Sequence, residues 1–172
     1  MLFRSLLEGK PEDLLDKFNM YVPLSKGDYR TAVFCVCDPF SLDISFATLD
    51  RLTDFGFSLL IPFTFVLNDR INYHYYLTNS REKVKKFLGG NQSVERLEKD
   101  LESNVQFYKR LVRIHENSLL ANGLNASTSV HKLDSGLMEM PMYYFGFFSK
   151  QFSAKAIQQE VESSRQIQYT LF

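Results

Sequence analysis

The chain has 172 residues, and its 20 Lys and Arg balance 20 Asp and Glu, so no global field draws it to nucleic acid or to an anionic membrane. With 45% hydrophobic and 23% charged residues it has an ordinary globular balance, which excludes extended disorder, and its length fits a single domain over 1–172. The longest apolar run, FSLLIPFTFVL at 57–67, contains a proline and falls short of the roughly 18 residues of a membrane helix.

The opening MLFRSLLEGKPEDLLDKF lacks the apolar core and cleavage site of a secretion signal. Within it, PEDLLDKFNMYV at 11–22 puts Pro at a helix start and spaces Leu14, Leu15, Phe18 and Val22 as an amphipathic face. After the turn residues SKGD, RTAVFCVCDPF carries no polar alternation before Asp38, as a parallel strand buried on both faces does. Cys35 and Cys37 fall on this run. At i and i+2 they point the same way and are poorly placed to bridge, so we expect reduced core thiols in a cytoplasmic protein.

From Ser45, SFATLDRLTDFGF offers an N-cap, apolar positions Phe46, Leu49, Leu52 and Phe55, and a closing Gly56. SLLIPFTF follows as a second apolar strand. Strand, helix and strand with short joints make a βαβ unit, hence a parallel pair with a right-handed crossover.

The next stretch has turn residues, a loop with Tyr73, Tyr75 and Tyr76, and a short basic helix ending at Gly89-Gly90. SVERLEKDLESNVQFYKRLVRIHENSLLANG then reads as one long amphipathic helix with a stripe of Val94, Leu97, Leu101, Val105, Tyr108, Leu111 and Val112, stopping at Asn122-Gly123. Its charges read as a solvated face. STSVHKLDS and MPMYYFGFFSK, joined through GLMEM, suggest a β-hairpin at the sheet edge. A last helix, SAKAIQQEVESS, precedes the tail. The expected class is α/β, a partial Rossmann-like sheet of parallel strands plus a C-terminal hairpin, with a helical insertion over about 80–123.

Familiar catalytic patterns are missing. No G-x-G-x-x-G or Walker loop occurs to let the backbone approach a phosphate, and no G-x-S-x-G elbow presents a nucleophile. His74, His115 and His131 are far apart and read as a loop, a helix and a strand position, which does not make a zinc site.

The run VFCVCDPFSLDISFATLDRLTDFGFSLLIPFTF, the Asn68-Asp69-Arg70 segment, KVKKFLGG and MPMYYFGFFSK, in that order over about 30–160, resemble the three-Cys-motif partner proteins of bacteria. That family is similar in its core to class I S-adenosylmethionine-dependent methyltransferases. The match is to the family's C-terminal half: its strand, glycine-rich turn and ribose-binding acid would precede Asp-Pro-Phe, and they are not found upstream here. Where the family commonly has Gly after Asp-Pro-Phe, this chain has Ser41.

The resemblance implies a site at the end of the Asp38 strand. There Asp38 would orient a target amine, Pro39 would fix the turn and Phe40 would stack on a flipped base. The residues alone also allow Asp38 to cap the following turn and Phe40 to plug the core. Asn68, Asp69 and Arg70 would open toward the same carboxyl-end face as substrate or partner contacts, or form a polar turn. Tyr73 and its neighbours would stack on bases or cover the core.

Two functions follow as expectations. In one, the chain is part of a methyltransferase-like enzyme acting on nucleic acid, binding S-adenosylmethionine only when another polypeptide completes it, and inactive alone. In the other it is a non-catalytic interaction module of a mobile-element or defence system. Both call for a homodimer or a protein partner, a three-Cys-motif protein by resemblance, and neither calls for a membrane.

Overall fold

A computed structural model describes residues 9, 13–15, 17, 33–38, 42–63, 73–131, 143–153, 155, 156 and 159. The chain is mixed α/β. Among the described residues the strands are β1 (Phe34–Val36), β2 (Ser58–Phe63), β3 (Asn125–His131) and β4 (Tyr143–Ser149). Its helices are α1 (Phe46–Asp54), α2 (Tyr73–Thr78), α3 (Arg81–Leu88), α4 (Asn91–Glu98) and α5 (Asn104–Ala121). Residues 13–15 and 17, within the expected first helix, are helical, as are 155, 156 and 159 within the expected last one.

The sheet order is β1-β2-β4-β3. β1 runs parallel to β2 with Cys35 opposite Leu59, and β4 lies antiparallel to both β2 and β3, with Gly146 opposite Ile61 and Thr128. The last strand thus enters between β2 and β3, and β3 forms the outer strand of the antiparallel pair. The loop that would hold GLMEM lies outside the described residues.

Helix α1 forms where its caps dictate. The Ser45 hydroxyl accepts from the Thr48 N–H at 3.2 Å. At the other end Gly56, at φ 87°, lets its own N–H reach the Thr53 carbonyl and the Phe57 N–H reach that of Leu52, a Schellman ending. The joints between β1, α1 and β2 are as short as a βαβ unit requires.

Pro62 sits inside β2 without breaking it. The Leu60 carbonyl accepts from the Cys37 N–H at 2.9 Å, so Leu60 and, two residues on, Pro62 face the β1 side. There the described ladder between the strands ends at Val36 opposite Leu60, so the missing donor of Pro62 breaks no rung of it.

The core lies on one face of the sheet. Leu59, Ile61, Phe63 and Phe148 are buried there against Phe87 of α3 and Phe107, Leu111, His115 and Leu119 of α5. The other face carries Phe34, Val36, Leu60, Pro62, Phe145 and Phe147. Phe34 stacks on Phe152 at 6.3 Å, yet it stays 49% exposed and Val36 stays 67% exposed. The expectation that the Asp38 strand is buried on both faces is therefore corrected. β1 is the outermost strand of the described sheet, and only its Cys35 side turns toward the core.

The long helix expected at 93–123 is two. Lys99 is extended at ψ 124° and Asp100 takes φ 50°, which ends α4; Ser103 then caps α5 by accepting from the Gln106 N–H. Arg110 fastens the break by donating to the carbonyls of Lys99 and Asp100. The break resets the helical phase, so Val105, expected in the apolar stripe, is 62% exposed while Val94, Leu97, Tyr108, Leu111 and Val112 are buried. The tyrosine cluster expected on a loop, together with His74, lies on α2 instead.

Candidate functional site

Asp38 stands exposed two residues beyond β1, at the carboxyl end of the parallel pair, where α/β sheets bind ligands. Pro39, Phe40, Asn68, Asp69 and Arg70 lie outside the described residues. Tyr73 begins α2. Its N–H donates to Asn104 Oδ1 at 2.9 Å, and its ring lies 4.0 Å from that of His74 and 6.2 Å from that of Phe107. These contacts join α2 to α5. Tyr76 is buried, with its hydroxyl pKa raised chiefly by desolvation, whereas Tyr75 is 49% exposed.

Just before Asp38 lie the two thiols. Both are free, with the Sγ atoms 3.5 Å apart. The hydrogen bond from Cys37 stabilises a Cys35 thiolate and lowers that pKa against the opposing effect of burial. The same contact, with burial, raises Cys37. The pair thus has one ionisable thiol on the half-buried side and one inert thiol in the core.

Beyond Asp38 the chain returns at Leu42 and runs through Asp43 and Ser45 into α1. Here a cleft of about 990 Å³ opens between the start of α1 and the last turn of α3. Its shape follows from Gly89, which ends α3 at φ 83° with its N–H on the Lys85 carbonyl. A Cβ there would come within 3.1 Å of the Phe46 ring, so the bare backbone lets α3 close against α1. Lys83, Lys85 and Lys86 line the α3 side. Lys83 meets Asp43 at 2.7 Å, and Lys85 lies 3.7 Å from Glu82.

In the sequence, KVKKFLGG reads as a short basic helix and as one motif of the family resemblance. Three lysines within four positions before a glycine pair were the available signal. What they face depends on the crossover geometry, which periodicity does not reveal.

The serine and lysine that close β4 are engaged within the fold. Ser149 is buried, shares a 2.8 Å hydrogen bond with Ser58, and accepts from the N–H groups of Gln151 and Phe152; Lys150 pairs with Asp54 at 2.7 Å. Among the described residues no cluster of three or more His, Cys, Asp or Glu is placed to hold a metal ion, and no helix is long and apolar enough to cross a membrane. No family model, no curated protein and no solved structure matches the chain.

Proposed function

We propose that the chain is a methyltransferase-like module, similar to three-Cys-motif partner proteins, that acts on nucleic acid together with another polypeptide. The observation that carries this reading is the sheet: a parallel pair β1 and β2, continued by an antiparallel pair whose final strand enters between β2 and β3. Parallel strands followed by a C-terminal antiparallel pair are what the resemblance implies for the C-terminal half of a Rossmann-like methyltransferase sheet. Asp38 then stands at the carboxyl end of β1, where an acceptor for a target amine belongs.

In this reading Asp38 accepts from the N–H of the amine and orients its lone pair, Pro39 holds the turn and Phe40 stacks on the extruded base. S-adenosylmethionine supplies the methyl group and is held largely by the completing polypeptide, since no G-x-G-x-x-G occurs in these residues. Asn68, Asp69, Arg70 and Tyr73 serve as substrate or partner contacts. The module works in the cytoplasm.

The test is to recover the chain with its bound partner from the native cell and assay transfer of a labelled methyl group to nucleic acid. Asp38→Ala lowers transfer by about a hundredfold or more. Undiminished transfer by that variant overturns the catalytic assignment.

A second reading, a non-catalytic interaction module, is favoured by the exposure of Phe34 and Val36 on the outermost described strand. A row of unpaired backbone groups flanked by apolar side chains favours strand addition by another chain. In that reading Asp38→Ala retains partner binding and no transfer is found.

A further inference from the structure

We infer that the cleft between α1 and α3 binds a nucleotide unit, with its phosphate among Lys83, Lys85 and Lys86 and its flat apolar part against Leu42 and Phe46. The inference deepens the reading above and rests on it for the choice of nucleic acid as target class.

The volume, about 990 Å³, is at the upper end of the range in which proteins take small ligands. Its two sides differ in chemistry. On one side are Leu42, which is 2% exposed, together with Phe46 and Ala47; on the other are the three lysines, followed by the bare backbone of Gly89 and Gly90. An apolar wall facing ammonium groups suits a ligand that is flat and apolar at one end and anionic at the other.

The charges are poorly matched without such a ligand. Lys83 is paired with Asp43 and Lys85 lies 3.7 Å from Glu82, whereas among the described residues Lys86 has no ion pair and is the cation left to meet an anion. Lysines three apart on a helix repel each other, so Lys86 stands beside the like charge of Lys83 on α3. An incoming phosphate relieves that repulsion and presents several acceptors to flexible ammonium donors.

Asp43 acts as the competitor. Its 2.7 Å bond to Lys83 joins side chains that are 60% and 52% exposed, a pairing of little net worth that a phosphate displaces. The chain is neutral overall, so this local patch, and no general field, has to provide the attraction. In sequence, Leu42 of the cleft follows Asp38 by four positions.

The experiment is a fluorescence anisotropy titration of the full chain with a labelled oligothymidylate of about twelve nucleotides. Thymidine 5′-monophosphate and inorganic phosphate serve as competitors. The expected result is salt-sensitive binding with a log–log slope of about −0.7 for the one phosphate held among the lysines. Lys86→Glu weakens it about tenfold and Asp43→Asn tightens it about threefold, by freeing Lys83. Both positions are exposed, and unchanged melting curves show that the variants fold.

An oligonucleotide that binds far more tightly than the monophosphate identifies a nucleic-acid strand as the source. Equal affinity identifies a free nucleotide. Absence of binding overturns the inference, as does binding that ignores both substitutions or inorganic phosphate that competes as well as the nucleotide. No methyl donor enters the titration, so its failure leaves the methyl-transfer assignment to its own assay.

Discussion

The imidazole of His115 in α5 donates through Nδ1 to the carbonyl oxygen of Phe87 in α3 at 3.0 Å and lies flat on the Phe87 ring with centroids 4.1 Å apart. The carbonyl belongs to the last turn of α3, where helical partners run out, so the histidine caps a helix end inside the core. Phe46 and Phe63 meet the ring edge-on, and Nε2 is buried without a hydrogen-bond partner.

That cage predicts an acid-labile fold. Burial lowers the His115 pKa to about 4, against about 6.5 for an unfolded histidine. Between these values the unfolded chain binds more protons. The histidine's contribution is therefore whole above pH 6.5 and falls away as pH drops toward 4, by about 3 kcal/mol in all. Urea unfolding from pH 7 to pH 4 checks this: the wild-type curve is steeper in that window than that of His115→Gln, and parallel curves contradict it.

Gly146 predicts a steric effect. A Cβ on it would lie 2.5 Å from Phe148 Cε2 and 3.1 Å from Phe63 Cε2, and both rings are fully buried. Gly146→Ala is expected to cost about 2 kcal/mol through displaced core rings. An unchanged denaturation midpoint would show that the β4 ladder yields at no cost.

The order of thiol reactivity is also expected. Cys35 is half-buried with a lowered pKa and Cys37 is buried with a raised one, so iodoacetamide alkylates Cys35 first in the folded chain. Peptide mass mapping at partial labelling reads this directly, and faster labelling of Cys37 would contradict it.

For the exposed strand, Val36→Lys places a charge on the outermost described edge. With Val36 67% exposed, the fold keeps its melting temperature while self-association or partner capture weakens about tenfold. Sedimentation and partner recovery measure the two effects separately, and association that survives the charge moves the interface elsewhere.

Much of the architecture was legible because local signals agreed with the tertiary outcome. Ser45 and Gly56 bracket a helix by their own chemistry, and the runs around Cys35 and Leu59 had the length and branching of strands. The burial of β1 was not legible: apolarity on both faces says that the residues resist water, while sheet order decides which faces find cover. Nor was the break at Lys99–Ser103, because Asp100 is an ordinary helix-surface residue until its neighbours favour a left-handed turn. At the site, Asp38 stood out by its neighbours Pro39 and Phe40. The lysine cleft did not, because it depends on α3 meeting α1 through Gly89.

If the chain acts as we propose, it needs another polypeptide to hold S-adenosylmethionine. Isothermal titration of S-adenosylmethionine into the purified chain, with its mass in solution recorded alongside, tests that claim most directly. The account predicts no binding by the monomer, with heat appearing only in an assembled species. Micromolar binding by a monomer would contradict it, since the chain would then build a cofactor site without a glycine-rich turn.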